Sequence, residues 1–263
     1  MKVATWNVNS VRARLERLLA WLGANGPDVL CLQELKVPDD AFPTEALAAA
    51  GYHAVVHGQP TYNGVAILAR SVPTEVEVGL QDGVDDSQAR LIGARVDGIR
   101  ILSAYVPNGG EVGSDKFAYK LAWMQRLRAY LAAHASPAEP LLLCGDLNVA
   151  PEDRDVARPA EWSDTVLCHA EARAALQELL AWGLVDTFRL HHAEGGLYSW
   201  WDYRQLGFPK NNGLRIDHIL ATAPLAKRCT GASIDREARK GKQPSDHAPV
   251  MAAFSAHGSA GEA

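Results

Sequence analysis

Hydrophobic and polar residues form short blocks along the chain, and these blocks predict buried strands that end in polar side chains. The block LLLCGDLN at 141–148 is typical of such a strand. Alternate side chains of a strand share one face, so Asp146 and Asn148 should project together while Leu147 packs the other way. An isolated Asp-x-Asn could equally mark an Asx turn. Similar polar strand ends recur in this chain, and they favour a ligand-binding role.

The first part of the chain predicts a strand-helix-strand unit. A strand at 2–7 ends in Asn7, and Ser10 is expected to cap a helix that begins at the next residue. Helical spacing is carried by Leu15, Leu18, Leu19 and Leu22. A buried strand at 29–32 then leads to Glu34. Both polar ends lie where open sheets tend to bind ligands.

The same patterns divide the rest of the chain into further elements. Helices are predicted at 44–50, 116–134 and 170–182. Strands are predicted at 52–57, 64–70, 89–96, 99–106, 186–190, 197–203 and 214–221. The Asp97-Gly98 pair predicts a hairpin, and 152–167 is expected to be an irregular surface stretch. No internal repeat or long linker divides the chain, so residues 1–255 are predicted to form a single domain and 256–263 a frayed tail.

Composition places the chain among ordinary globular proteins. It has 263 residues, of which 48% are hydrophobic and 22% charged. No apolar run approaches the length of a membrane span, and the start lacks the apolar core of a signal peptide, so a cytoplasmic location is expected. The four cysteines contain no C-x-x-C pair, which favours buried free thiols over a disulfide framework or a zinc site.

The charge is unevenly distributed along the chain. The net charge of -5 argues mildly against a protein that simply coats nucleic acid. Between Arg204 and Gln243, nine Lys or Arg stand against three acids, so this segment carries +6 and the remainder -11. A basic segment on an acidic body could contact phosphates locally. A solvated charged loop is the alternative for its later part.

Polar groups at the strand ends come from six separate segments of the chain. They are Asn7, Glu34, Tyr105, Asn108, Asp146, Asn148, Asp217, Asp246 and His247. We expect them to converge on one rim of the fold. Oxygen donors without Cys or clustered His favour Mg²⁺ or Mn²⁺ over zinc. A metal of this kind beside a carboxylate or an imidazole suits phosphodiester hydrolysis.

Seven motifs occur in an order that carries a family resemblance over nearly the whole chain. They are TWNVN at 5–9, LQE at 32–34, NGVA at 63–66, YVPN at 105–108, GDLN at 145–148, LRID at 214–217 and SDHAP at 245–249. In this set the chain resembles the exonuclease III type of abasic-site endonuclease, within the DNase I-like endonuclease/exonuclease/phosphatase superfamily. The strand-helix-strand pattern alone would indicate a doubly wound parallel sheet. The resemblance instead implies a four-layer α/β sandwich of two packed mixed β-sheets flanked by helices.

The resemblance also implies catalytic roles. Glu34 would be the principal metal ligand, assisted by Asn7 and Asp246. Asp146 would activate or orient the attacking water, and Asn148 and His247 would hold the non-bridging phosphate oxygens. Asp217 would fix and charge His247, while Tyr105 and Asn108 would contact the scissile phosphate. Two questions stay open: whether Asp146 or His247 is the general base, and whether one metal or two take part.

A substrate pocket is expected inside the basic segment. Aromatic and apolar residues alternate there with Arg204 and Arg215, which suits a pocket for a base-less sugar with phosphate contacts on either side. The resemblance maps Trp200 and Leu214 onto the wall of that pocket. A core role is the alternative for Trp200.

The implied function is a Mg²⁺-dependent repair nuclease, with Mn²⁺ able to substitute. It would cut double-stranded DNA 5′ to abasic sites and trim 3′ ends, acting as a monomer away from membranes. The alternatives are a catalytically inactive, nucleic-acid-binding regulator on the same fold and a sibling phosphatase of lipids or inositol phosphates.

Overall fold

The computed structural model describes residues 1–256, which form two six-stranded sheets. The first sheet has the order β11-β12-β1-β2-β4-β3. Its strands are β1 (Lys2–Asn7), β2 (Val29–Gln33), β3 (His53–His57), β4 (Val65–Ala69), β11 (Cys229–Ile234) and β12 (Val250–Phe254). Only β1 and β2 pair in parallel.

The second sheet has the order β5-β6-β7-β8-β10-β9. Its strands are β5 (Thr74–Val78), β6 (Leu91–Val96), β7 (Ile99–Tyr105), β8 (Leu141–Asp146), β9 (Leu184–Asp186) and β10 (Asp217–Thr222). Here only β7 and β8 pair in parallel. A parallel pair needs a crossover, and in each sheet a helix supplies it.

Residues 1–256 contain six α-helices, and the longer ones cover the outer faces of both sheets. The six helices are α1 (Leu15–Asn25), α2 (Thr44–Ala49), α3 (Asp115–His134), α4 (Pro159–Trp162), α5 (Ala170–Ala181) and α6 (Ala223–Ala226). Short 3₁₀ turns occur at Asp39–Ala41, Asp153–Asp155 and Arg236–Arg239. Helices α1 and α2 pack on the first sheet through one apolar cluster, and α3 and α5 pack on the second through another.

A third apolar cluster fills the space between the sheets. It joins side chains such as Val29 and Ile67 of the first sheet to Ile101 and Leu142 of the second. The order of layers is therefore helix, sheet, sheet, helix, and the predicted four-layer α/β sandwich is confirmed. The doubly wound parallel sheet indicated by the local pattern is wrong, because most neighbouring strands are antiparallel.

Strand alternation explains where the polar strand ends meet. In β8, Leu142 and Cys144 face the opposite sheet, so Asp146 faces the same way at the end of the strand. In β10, Asp217 follows the same rule and pairs directly opposite Asp146. Tyr105 of the parallel strand β7 is the other neighbour of Asp146. The polar groups therefore gather at one end of the layer between the sheets.

Three predicted boundaries are wrong for local reasons. Ser10 does not cap α1, because its hydroxyl accepts the backbone N–H of Ala13 at 3.4 Å in the turn at 11–14 and the helix begins only at Leu15. The strand predicted at 186–190 ends at Asp186, whose carboxylate accepts the backbone N–H of Phe188 in an Asx turn. The strand predicted at 197–203 shrinks to isolated bridges at Trp200.

Two further strands lack the signals that the pattern analysis used. Strand β5 alternates only partly and is mostly exposed at the sheet edge, and β11 is a half-exposed edge strand. We propose that 1–255 form one domain, because both sheets share the buried layer between them. Apart from Ala256, the predicted tail at 256–263 lies outside the described residues.

Candidate active site

The best-defined part of the site is a histidine held between two carboxylates. Nδ1 of His247 lies 2.9 and 3.1 Å from the two carboxylate oxygens of Asp217. Its Nε2 lies 3.7 Å from Oδ2 of Asp146. All three side chains are buried. Nδ1 therefore donates to Asp217, and Nε2 points toward the site.

The electrostatics of this trio favour a charged imidazole. Burial lowers the pKa of His247, but the charges of Asp217, Asp146 and Asp246 more than offset it and raise the pKa to about 10. Burial raises the pKa of Asp146 to about 7, against the opposing charge of His247. Near neutral pH, His247 is therefore cationic, and Asp146 changes between its protonated and ionised forms.

Glu34 stands beside this trio on a strained backbone. Its φ of 52° is left-handed, which is uncommon for a residue other than glycine and is typical of functional sites. Oε1 accepts hydrogen bonds from the Asn7 amide at 2.8 Å and from the Tyr105 hydroxyl at 3.0 Å. Oε2 pairs with the Lys36 ammonium at 3.0 Å. Burial, and then the charges of Glu34 and Asp146, raise the pKa of Tyr105 well above its usual value, so its hydroxyl remains a donor.

The Asn7 amide connects the two carboxylates of the site. Its Nδ2 donates to both Glu34, at 2.8 Å, and Asp146, at 2.9 Å. Its Oδ1 accepts the backbone N–H of Asn9 at 3.0 Å. This network fixes which end of the amide faces the site. In this arrangement Asn7 orients the two carboxylates, and its role as a metal ligand stays a prediction.

Asp246 lies on the far side of a polar chain that starts at Glu34. Lys36 donates to Oδ1 of Asn9 at 2.6 Å, and Nδ2 of Asn9 donates to Asp246 at 3.0 Å. The other Asp246 oxygen accepts the Trp200 indole N–H at 3.0 Å. The role of Asp246 as a metal ligand therefore stays a prediction.

Asn148 and Asn108 face each other on the loops that follow β8 and β7. Nδ2 of Asn108 donates to Oδ1 of Asn148 at 3.2 Å, and the Asn148 amide donates to the Val106 carbonyl at 2.9 Å. Asn148 has a φ of 50°, and its backbone N–H bonds to Asp146. Gly145 permits the close approach of β8 to β7, because a Cβ at this position would lie 1.9 Å from the Ala104 carbonyl oxygen.

One acidic group among residues 1–256 has the arrangement of a metal site. Ligand atoms of Glu34, Asp146 and His247 lie within 4.8 Å of one another. A protonated imidazole offers no lone pair, so the carboxylates of Glu34 and Asp146 are the donors available to a cation. Hard oxygen donors of this kind fit a divalent metal such as Mg²⁺.

The predicted substrate pocket is only partly present. Trp200 is half-buried, and its ring meets Trp162 of α4 edge-on at 5.8 Å between centroids. A surface cavity of about 330 Å³ adjoins Trp162 and Arg204. Arg204 is exposed and pairs with Asp202 at 2.8 Å. Leu214 is fully buried in the apolar cluster against which Trp200 and Trp162 pack, so it is not exposed in an open pocket, and its place in the pocket wall stays a prediction.

Arg215 also departs from its predicted role. Its side chain is only 1% exposed, and it pairs with Asp155 at 2.6 Å and with Asp186 at 2.7 Å. Nδ1 of His218 lies 3.1 Å from a further guanidinium nitrogen. A guanidinium enclosed in this way cannot reach a phosphate in solution. Arg215 is instead the centre of a buried ion-pair network that fixes the loop after β8 to β9 and β10.

Sequence reasoning missed several residues that support the site. Ser245 donates to the Asn7 carbonyl at 2.6 Å and accepts the His247 backbone N–H at 3.1 Å. Lys36 pairs with Glu34, and Lys120 is completely buried beneath the loops. A signal for Lys120 existed, because it stands at a helical interval among the apolar residues of α3.

Known proteins resemble this chain in sequence and in fold. The model of the Endonuclease/Exonuclease/phosphatase family matches residues 4–247. Exodeoxyribonuclease III of Haemophilus influenzae is 38% identical over 266 residues, which cover 97% of this chain and 100% of that protein. The chain therefore belongs to the endonuclease/exonuclease/phosphatase family, and the resemblance to exonuclease III-type enzymes is confirmed.

Two solved structures are similar along almost their whole length. An AP endonuclease from Archaeoglobus fulgidus has a TM-score of 0.95 and 41% identity, with 97% of this chain and 100% of that chain covered. A 3′-5′ exonuclease from Neisseria meningitidis has a TM-score of 0.93 and 44% identity, with 97% and 99% covered. Within residues 1–256, none of the helices has the length and apolar character needed to cross a membrane.

Proposed function

We propose that this protein is a DNA repair nuclease that hydrolyses the phosphodiester bond 5′ to abasic sites and also trims 3′ ends, with Mg²⁺ as its cofactor. The observation that carries the proposal is the buried His247, which bridges Asp217 and Asp146 beside Glu34. The similarity to exodeoxyribonuclease III, an AP endonuclease and a 3′-5′ exonuclease supports the choice of DNA and of these two activities.

The different charges of His247 and Asp146 suit them to different roles in the reaction. The carboxylates of Asp217 and Asp146 keep His247 protonated, so its Nε2–H is a donor suited to a non-bridging phosphate oxygen. Asp146 can then take a proton from the attacking water, because its pKa of about 7 matches the pH at which a general base works best. Asn148 would hold the phosphate from the opposite side.

Glu34 would be the principal metal ligand, assisted by Asp246, and Asn7 and Tyr105 would keep Glu34 in position. When bound, Mg²⁺ would polarise a phosphoryl oxygen and stabilise the leaving alkoxide. The number of metal ions is left open. Asn108, Trp200 and Arg204 are the proposed substrate contacts, since each stands at or near the open end of the site.

The proposal is tested by incision of a duplex with one central abasic-site analogue, in Mg²⁺ and in EDTA. A second duplex with an undamaged recessed 3′ end tests the exonuclease activity. We expect a metal-dependent cut immediately 5′ to the lesion, abolished in Asp146→Asn and strongly reduced in Glu34→Gln at the same Mg²⁺ concentration. Glu45→Gln, an exposed acid on α2, is the matched control and should retain full activity. Retained DNA binding without any cleavage by the native protein would overturn the proposal. The monomeric state and the cytoplasmic location remain predictions.

A further inference from the structure

Lys120 is a completely buried lysine whose ammonium has three backbone partners. Nζ donates to the carbonyl oxygens of Asn108 at 3.1 Å, Asn148 at 2.6 Å and Val166 at 2.6 Å. Lysines are almost never fully buried unless they are paired. Among residues 1–256 no carboxylate contacts this ammonium, and the three carbonyls match its three N–H donors.

The three partners of Lys120 come from three different loops. Asn108 follows β7, Asn148 follows β8, and Val166 lies between α4 and α5. Two of the three loops carry side chains proposed to hold the phosphate. The third continues from α4, whose Trp162 meets Trp200 at the pocket. One side chain under the site therefore connects all three.

The surroundings of Lys120 are built around its side chain. Gly109 has a φ of +97°, and a Cβ there would lie 3.0 Å from Cδ of Lys120 and 3.4 Å from Cβ of Val166. The absence of a side chain lets the loop lie flat on the lysine stem. Lys120 also stabilises the left-handed backbone of Asn148, because without the ammonium the buried Asn148 carbonyl would lack a hydrogen-bond donor.

We propose that Lys120 is a positioning residue for the reaction: its ammonium fixes the relative placement of the Asn108, Asn148 and Val166 loops and so aligns the phosphate with the attacking water. This inference rests on the proposed nuclease function. Burial lowers the pKa of Lys120 to about 7, while the charge of Asp146 acts in the opposite direction. Only the charged form supplies all three hydrogen bonds.

The test compares Lys120→Met with Leu127→Ala in single-turnover cleavage of the abasic-site duplex. Leu127 is a buried residue on the same helix, about two turns further from the site, so both variants lose buried contacts. We expect Lys120→Met to lower the cleavage rate about 100-fold, with DNA affinity changed less than about threefold, because misplacement of about 1 Å has effects of this size. Leu127→Ala should cleave within about twofold of the native rate at a temperature where it is folded, as a change remote from the reacting groups.

Lys120→Arg keeps the charge but moves the donors, and it should lose about tenfold in rate at unchanged affinity. If Lys120→Met does not fold, the cleavage rate of Lys120→Arg alone tests the positioning role. Equal rates for Lys120→Met and Leu127→Ala, or a native rate for Lys120→Arg when it alone is available, would overturn the positioning role. An inactive native protein would instead refute the proposed function, so the two failures are distinguishable.

Discussion

Asp217 and His247 form a completely buried carboxylate-imidazole pair, with Nδ1 of the ring 2.9 Å from Oδ2 of the acid. The two residues come from different sheets, since Asp217 begins β10 and His247 precedes β12. Asp217 is itself oriented by Ser199, whose hydroxyl accepts the backbone N–H of Asp217 at 3.0 Å. The pair therefore ties the catalytic end of one sheet to that of the other.

Asp217→Asn should lower kcat at least about 100-fold, because an amide neither stabilises the positive charge of His247 nor fixes the proton on its Nδ1. KM should change less than kcat, since Asp217 itself does not contact the DNA in the proposed role. Steady-state kinetics on the abasic-site duplex measure both constants. NMR titration of the ring supplies the control, as its pKa should fall well below about 10. A kcat within threefold of the native value would contradict the role assigned to Asp217.

The same pair predicts a pH dependence of stability in the metal-free protein. The folded-state pKa of His247, about 10, is above its unfolded value of 6.5. Its contribution is therefore fully present below pH 6.5 and is lost as pH rises through about 10. The loss should be on the order of 3 kcal/mol, given about 1.4 kcal/mol per pKa unit and sharing of the effect with Asp146.

Urea unfolding between pH 6 and 10.5 in EDTA measures this loss, with Asp217→Asn as the matched variant. In that variant the stabilisation should disappear at a lower pH, because the imidazole loses its closest negative partner. Parallel stability curves for the two proteins would show that His247 is not charged in the native state.

Strand ends could be predicted from the sequence because strand geometry is regular. A buried run followed by Asp146, or a run followed by Glu34, implies a side chain at the edge of a sheet. The sandwich itself could not be derived in this way. Parallel pairing of β1 with β2 follows from the local pattern, whereas the antiparallel neighbours of these strands come from distant parts of the chain.

Side-chain partners were harder to predict than strand ends. Arg215 lies in a basic segment, but Asp155 and Asp186 are far from it in sequence and neutralise it inside the fold. Asn7 has both a donor and an acceptor end, and only its neighbours determine which end faces the site. Lys120 stands at a core-facing position of α3, but its three carbonyl partners lie in loops distant in sequence, and the sequence pattern does not identify them.

Loss of a carboxylate and loss of its support should affect metal binding by different amounts. Glu34→Gln should raise the Mg²⁺ concentration for half-maximal activity at least about tenfold, since it removes a charged donor. Asn7→Ala removes only the amide that orients Glu34 and Asp146, and about a tenfold weakening is the expected upper limit. Direct Mn²⁺ binding by electron paramagnetic resonance gives the same comparison without relying on cleavage. A stronger effect of Asn7→Ala than of Glu34→Gln would indicate that Asn7 is itself a ligand.

Arg215 and Arg204 both lie in the basic segment, but their substitutions should have different effects. Loss of Arg215 should lower stability, and loss of Arg204 should weaken DNA binding. Arg215→Met leaves Asp155 buried without one of its two guanidinium partners, Arg189 being the other, and should cost about 3–5 kcal/mol of unfolding free energy. Its KM should stay native at temperatures where the variant is folded. Arg204→Ala should leave Tm unchanged because the side chain is 85% exposed.

If Arg204 contacts a phosphate, its loss weakens DNA binding and reduces the slope of log affinity against log salt by about 1. Urea unfolding and salt-dependent binding of a duplex made non-cleavable by EDTA measure the two effects. Arg215→Met is the matched control for binding, and Arg204→Ala is the control for stability. A reduced salt slope in Arg215→Met, with native stability, would mean that its guanidinium leaves the buried network to meet DNA. The enclosure of Arg215 by two carboxylates and His218 argues for the opposite result.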